Sequence, residues 1–576
     1  MDKDKSKIVE LSTAAKSSHL YSEDLKPLPT KERHWGVWDL TAIWVGMAVC
    51  IPTYLLASYM IKDGFSWLEA IIIIALGNLI VTIPMVLNGH AGVKYGVPFP
   101  VIGRASFGTK GIHLPSLLRG LVACGWFGIQ CWIGGLAVYS IGVTVLGLES
   151  ESALSIGKFI GFAIFWLLNV YFIWNGMESI RWIEKSTAPI LLIMGVLLII
   201  WGATNVGGFS KVLKNSEQYS IATAAINNKG IAINTITDKD GKRKAKEYRL
   251  INNGKEQAWK SIPTNQIIPY QAGNNVKGLN IQFRSDDKIT SSKVKVQASS
   301  LANSSTQNRF WKYLMWLTAM VGFWATMAIS IADITRHSKS QKEQVMGQFI
   351  GLPGTMILYS FVGIFVTCAA ATIFGDVLVL EDSPWDPVTL IGKLNNSWVI
   401  VLAQIFMIIA TLSTNIAANV IAPANAFSNL NPKNISFRTG GIITAVIGIL
   451  ICPWWLLDEI SGLLIFVSSF LGPILAVLIA DYFFIRKTEL NTEALFLTDG
   501  EYAYQQGYNI KAFVAFTAGV LTALVGFFVP ALNLLYNTSW FSSFAVTLVV
   551  YCLLSYKNKK KILANGVIHL FILSNF

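Results

Sequence analysis

Apolar runs of membrane-spanning length dominate the chain, and polar residues interrupt three of them. A spanning helix needs roughly 20 mostly apolar residues. Twelve stretches qualify: 38–61, 67–87, 117–146, 156–174, 183–206, 311–333, 348–373, 398–421, 438–457, 461–485, 510–530 and 538–556. The polar interruptions read Gly125-Trp126-Phe127-Gly128-Ile129-Gln130, Gly322-Phe323-Trp324-Ala325-Thr326, and Ser413-Thr414-Asn415 with Asn419. Indoles, amides and hydroxyls at bilayer depth are costly unless they line a cavity. The pattern therefore predicts an all-α polytopic membrane protein with a polar site in mid-membrane. The first span also holds Trp44-Val45-Gly46-Met47-Ala48-Val49-Cys50-Ile51-Pro52, and the sixth holds Val321-Gly322-Phe323-Trp324. Glycine or proline at matching places in two halves predicts broken helices around that site.

Residues 208–310 depart from this pattern. Alternating stretches at 230–236 and 293–296, with turn pairs Asp240-Gly241 and Asn253-Gly254, predict short strands and hairpins. This segment is expected to be a small β-rich extracytoplasmic domain, with an unstructured loop as the alternative. Residues 1–35 are expected to form a flexible cytoplasmic arm. They are polar and mixed in charge, unlike a cleavable leader, so the first span is expected to serve as the insertion signal. The tail, 557–576, ends in an apolar run too short to span.

Composition agrees with the membrane class: 53% apolar, 14% charged, mean hydropathy +0.50. Loop charge then sets orientation. Lys and Arg favour the cytoplasmic side. They recur in alternate connections: Lys26, Lys31 and Arg33; Lys94, Arg104 and Lys110; Arg181 and Lys185; Arg336, Lys339 and Lys342; Lys433 and Arg438; Arg486 and Lys487; and the tail. The intervening loops carry Glu149, Glu151, Asp382, Asp386, Asp458 and Glu459 instead. Both termini are thus expected in the cytoplasm, across a cell or inner membrane. The exception is 208–310, with 17 Lys and Arg against seven Asp and Glu, or +10 of the chain's +13. Long loops translocate regardless of charge. This external charge, without interleaved aromatics, argues against nucleic-acid binding. The six cysteines, Cys50, Cys124, Cys131, Cys368, Cys452 and Cys552, all lie in apolar segments with no CxxC pair and read as buried small hydrophobes.

The polar islands carry the chemistry. Trp126 and Gln130 are four residues apart and share a helix face. An indole face with an amide suits a planar heterocycle, since the ring stacks and the amide reads donors and acceptors. Packing of the indole between helices, with Gln130 bonded to a neighbouring helix, is the competing explanation. Trp324 could cover a second face of the same ring. Sodium favours hard oxygen ligands, which Ser413 and Thr414, with Ala410 one turn earlier, could supply beside carbonyls of Gly46 and Val49 in a broken first helix. Back-bonding of the hydroxyls to their own helix is the alternative. Asn419 falls near the same face. No ionisable side chain occupies the middle of a predicted span, which favours a neutral substrate and a metal-cation coupling ion. No enzyme signature, Walker motif or His-Glu-x-x-His is present, so neither catalysis nor a cofactor is expected.

Five stretches carry a resemblance: 35–61, containing WGVWDLTAIWVGMAVCIPTYLLAS; 115–132, PSLLRGLVACGWFGIQCW; 320–353; 410–425, ATLSTNIAANVIAPAN; and 480–486, ADYFFIR. Together they resemble the nucleobase:cation symporter-1 family over nearly all of the chain except 208–310 and the tails. The resemblance implies a leucine-transporter-type fold of two inverted five-helix repeats, 36–207 and 311–487, with two further helices in 488–556. It implies alternating access and uptake of nucleobases, hydantoins or allantoin by a protein able to act as a monomer. By the same resemblance Trp126 and Trp324 stack on the substrate, Gln130 and Asn419 bond it, and Gly46, Val49, Ala410, Ser413 and Thr414 bind sodium. Two positions depart from the family. Cys50 stands where Gln or Asn is common, and Phe323 stands where a glycine can precede the second tryptophan. Both are expected to line the pocket and reshape it. A proton-coupled vitamin or nucleoside importer is the alternative on this fold. A receptor using 208–310 as its sensor is the alternative from another class. That segment is also where an external partner would dock.

Overall fold

The computed structural model describes residues 11–556, apart from 63–64, 149–153, 216–221, 228–229, 236–244, 253–254, 266, 271–278, 285–293, 296–308, 374–386, 393, 395 and 457–459. The acidic loop residues Glu149, Glu151, Asp382, Asp386, Asp458 and Glu459, the two turn pairs and the tail lie outside the described residues. The main helices are α1 (Val37–Ala48), α2 (Ile51–Lys62), α3 (Trp67–Tyr95), α4 (Phe99–Phe107), α5 (His113–Leu146), α6 (Ile156–Asn175), α7 (Met177–Val206), α8 (Arg309–Ser330), α9 (Ala332–Thr335), α10 (Gln341–Ile373), α11 (Ser397–Asn419), α12 (Ile421–Leu430), α13 (Phe437–Leu450), α14 (Ile460–Ile479), α15 (Ile510–Phe528) and α16 (Ser539–Ser555). Among the described residues, eight helices are long and apolar enough to cross a membrane, and two bent pairs raise the number to ten. The shorter apolar segments Leu192–Val206 and α13 occupy the two remaining expected positions.

The first break follows from one proline. In a continuous helix Pro52 would donate to Ala48 O, but it has no N–H and its ring crowds that carbonyl. Cys50 N–H takes Ala48 O instead, at 3.0 Å, and α1 meets α2 at 59°. Cys50 therefore does not supply the helical bond that Gly46 O would receive.

The sixth span behaves differently from expectation. Helix α8 runs unbroken through Gly322 and ends at Ser330. Gly322 serves packing: a Cβ there would strike the Ser468 hydroxyl of α14. The interruption comes at Ile331, and Asn88 of α3 donates to Ala328 O (2.8 Å) and Ile329 O (2.7 Å) near that end. A side chain from another helix thus satisfies carbonyls at the helix terminus.

The insertion is β-rich, as expected. Strands β1 (Ala222–Asn227), β2 (Gly230–Thr235), β3 (Glu247–Asn252), β4 (Lys255–Glu256), β5 (Lys260–Ser261), β6 (Ile267–Ile268), β7 (Leu279–Arg284) and β8 (Val294–Lys295) pair antiparallel. They form one sheet ordered β1-β2-β6 and another ordered β4-β3-β7-β8, with β5 on β3. Ile231, Ile233, Leu250, Ile281 and Phe283 close a small core separate from that of the helices.

Residues 11–35, the described part of the arm expected to be flexible over 1–35, instead lie packed across one end of the bundle. Leu11, Ala15 and Leu25 are buried. Leu28 N–H bonds Gly96 O, and Asp24 accepts from Phe437 N–H. Trp35 bonds His337 O and stacks on the His337 ring at 4.7 Å. The arm thereby ties the end of α3, the α9–α10 joint and the start of α13.

Candidate transport site

Six expected residues come together. Cys50, Trp126, Gln130, Phe323, Trp324 and Asn419 line one cavity, joined by Met47, Pro52, Thr326, Met327, Thr414 and Ala418. Helix α5 supplies Trp126 and Gln130 from one face, α8 supplies Phe323 and Trp324, α11 supplies Asn419, and the α1–α2 break supplies Cys50. The aromatic rings meet edge to face: Trp126 on Phe323 at 5.4 Å, Phe323 on Trp324 at 5.0 Å and Trp324 on Trp44 at 5.2 Å. Phe323 therefore fills space between the two tryptophans. The cavity leaves about 30 Å³ of water-accessible space, room for one or two waters. A heterocycle requires the Trp126 and Phe323 rings to part.

Two polar atoms at this cavity lack protein partners. Gln130 Oε1 and Trp324 Nε1 are buried without a hydrogen bond. Each such group costs about 1–3 kcal/mol when left unmade. One is an acceptor and the other a donor, the complement of an amide-like –NH–CO– edge. Cys50 Sγ contacts Thr53 Oγ1 at 3.2 Å and is also in reach of the Gln130 side chain. The thiol thus lies in the cavity wall beside Gln130.

The three adjacent polar residues of α11 radiate to four other helices, because successive helical side chains point about 100° apart. Ser413 Oγ meets Thr187 Oγ1 of α7 at 3.0 Å. Thr414 Oγ1 donates to Gly46 O of α1 at 2.8 Å, filling the bond that the proline break withdrew. Asn415 Nδ2 donates to Asn169 Oδ1 of α6 (3.1 Å) and Phe127 O of α5 (3.3 Å). Asn415 Oδ1 accepts from Asn419 Nδ2 at 3.0 Å, which holds that amide at the cavity. Ala410 packs in one buried cluster with Val45 and Val49. Gly46, Val49, Ala410 and Thr414 therefore lie at the α1–α11 contact, with Ser413 turned toward α7, and the set offers hydroxyls and carbonyls without a carboxylate. That neutral, all-oxygen set fits a hard monovalent cation.

Three participants were not foreseen. Thr187 follows Glu184, Lys185 and Ser186 at the polar start of a span, where one more hydroxyl carries no signal. Asn169, isolated in an apolar run, completes the asparagine chain. Arg119 lies near the start of the predicted span 117–146 and was not among the residues singled out. The fold buries it at 1% exposure, with its guanidinium donating to Ser330 Oγ (3.0 Å), Met327 Sδ (3.4 Å) and Ala418 O (3.3 Å). Met327 and Ala418 are cavity residues, so a fixed cation lies directly behind the cavity wall and ties α5 to α8 and α11. The mid-span positions remain free of charge, but their immediate surroundings do not.

The sequence profile of permeases for cytosine/purines, uracil, thiamine and allantoin matches residues 27–236 and 289–542. The chain belongs to this family. Its unmatched interval, 237–288, falls inside the β insertion. The chain is 34% identical over 557 residues to the purine-uracil permease of Arabidopsis thaliana, covering 92% of this chain and 77% of that one. It is 31% identical over 554 residues to the allantoin permease of Bacillus subtilis, covering 93% and 94%. A solved nucleobase-cation-symport-1 transporter, closed around bromovinylhydantoin, superposes with a TM-score of 0.66 at 22% identity, covering 93% of this chain and 97% of that one. A sodium-coupled sialic acid symporter shares the fold at 0.56 and 11% identity, covering 94% and 93%. The protein is a multi-pass membrane transporter and not an enzyme.

Proposed function

We propose that this permease imports a neutral nucleobase-like heterocycle, of the nucleobase, hydantoin or allantoin class, together with sodium by alternating access. The observation that carries the substrate reading is the pair of unpartnered atoms, Gln130 Oε1 and Trp324 Nε1, at an aromatic-lined cavity. A lactam edge bonds both while its ring displaces Phe323 from between Trp126 and Trp324. Asn419, oriented by Asn415, reads the far edge. Sodium at Gly46, Val49, Ala410, Ser413 and Thr414 would take over the Gly46 carbonyl from the Thr414 hydroxyl and clamp α1 to α11. Thr414 also lines the substrate cavity, so ion and substrate share a wall. Sodium and substrate then raise each other's affinity by the same factor. The alternation of loop charges supports both termini in the cytoplasm of a plasma or inner membrane, and the proposed site draws on residues of one chain.

A proton-coupled reading draws on Asp333. It is buried at 2% exposure, its Oδ1 accepts from Phe99 N–H at 2.9 Å, its Oδ2 makes no close hydrogen bond, and Asn425, Arg336 and Arg119 surround the carboxyl. Proteoliposomes separate the two readings. Uptake of labelled uracil, hypoxanthine, allantoin or benzyl-hydantoin should follow an imposed sodium gradient at fixed pH. Uptake driven only by a proton gradient, and abolished in Asp333→Asn, would replace sodium with the proton.

A further inference from the structure

A second cavity adjoins the polar one and has the opposite chemistry. It is a crevice of about 380 Å³ between α5 and α14, closed on its inner side by α8. Thr326 carries the only hydroxyl side chain among its lining residues, and the remaining lining is apolar or glycine. Trp126 and Thr326 line both cavities, so the crevice ends on the indole proposed to stack on substrate. Leu121 and Phe466, both in its lining, are 53% and 45% exposed and belong to spanning segments. Gly125 opens the wall: a Cβ there would meet nothing within 4 Å.

Membrane surroundings decide what fills such a space. Lipid tails are as apolar as leucine, so there is no hydrophobic penalty for exposing the crevice, but an empty one forfeits dispersion contacts along its walls. Water gains little from a lining with one hydroxyl, since a buried water needs two to four polar partners. The long axis follows α5 from Leu118 to Ile129, about 16 Å at the helical rise. We propose that the crevice binds one acyl chain of a membrane lipid, seated against Trp126. The chain supports the indole from outside the polar cavity. Its presence thereby links bilayer composition to the ring motion that substrate entry requires.

The full-length protein is reconstituted in phosphatidylcholine vesicles containing a trace of phosphatidylcholine with a diazirine on one acyl chain. After irradiation, labelled peptides are mapped by mass spectrometry. The proposal expects labelling of 118–129 and 463–471 in excess of the ordinary lipid-facing positions Leu76 and Ile164. Gly125→Phe, which fills the crevice, should lose that excess and keep the Leu76 and Ile164 labels. Leu121→Trp at the mouth repeats the test should the first variant fold poorly. Crevice labelling no greater than at Leu76, or unchanged in both folded variants, would overturn the proposal. Displacement of the label by heterocycles with bulky apolar substituents, but not by unsubstituted rings, would assign the crevice to substrate and also overturn it. No substrate is needed for the basic labelling, so its outcome is separate from that of the transport reading.

Discussion

Thr414 gives the sharpest residue-scale test because its hydroxyl has two proposed uses: it donates to Gly46 O as the structure stands, and it offers a lone pair to sodium. Thr414→Ser keeps the oxygen, and Thr414→Ala removes it. The expected result is that the serine variant retains sodium-stimulated ligand binding, while the alanine variant weakens sodium's effect roughly tenfold or more, about 1.4 kcal/mol. Equal sodium dependence in both, measured by titrating sodium at fixed ligand, would remove Thr414 from the ion site. The same scale shows what the sequence could and could not say. Trp126, Gln130, Trp324 and Asn419 were legible because large or polar groups in apolar runs need a reason, whereas Phe323 and Cys50 came only from the family resemblance. Their convergence on one cavity is a fact of the fold. Arg119 was not legible, because a charge near a span end carries no sign of burial, and only the packing of α5 against α8 and α11 reveals it.

Among the elements, the α1–α2 break is the one whose cause can be named in a single residue. Pro52→Ala restores an N–H able to reach Ala48 O, leaving Cys50 N–H free to return to Gly46 O. Gly46 would then be less available to Thr414 or to an ion. The expected outcome is a folded protein that needs more sodium for half-maximal uptake, at least a few-fold. Uptake with unaltered sodium dependence would mean that the break is held by packing rather than by the proline. The break in the first span was visible in sequence because proline leaves a backbone carbonyl without its donor. The sixth-span interruption was misplaced because glycine has two roles, flexibility and close approach, and at Gly322 close approach to Ser468 prevails. The arm was misread for a related reason: its contacts are hydrogen bonds and a ring stack to residues far along the chain, which leave no local periodicity.

At the scale of the whole molecule, the β insertion and the helix bundle have separate cores. The family profile also passes over residues 237–288. Replacing 216–308 with a short Gly/Ser linker should therefore leave uptake in proteoliposomes close to that of the intact protein, with thermal stability of the bundle retained. Loss of uptake with retained binding would give the insertion a gating role. The twelve-span pattern was the most legible feature, since bilayer thickness fixes helix length independently of side-chain detail. Substrate identity is the least legible, because it depends on where six side chains point within a few ångströms. The central claim, that this cavity takes a planar heterocycle with sodium, is tested most directly by ligand quenching of tryptophan fluorescence in the purified protein. The titration uses uracil, cytosine, hypoxanthine, allantoin and benzyl-hydantoin, with and without sodium, in the intact protein and in Trp126→Ala and Gln130→Ala. The account predicts saturable quenching by one class, tightened by sodium, lost in Trp126→Ala and weakened roughly fivefold to a hundredfold in Gln130→Ala, about 1–3 kcal/mol for an unpaired polar group. Wild-type affinity in both variants would contradict it.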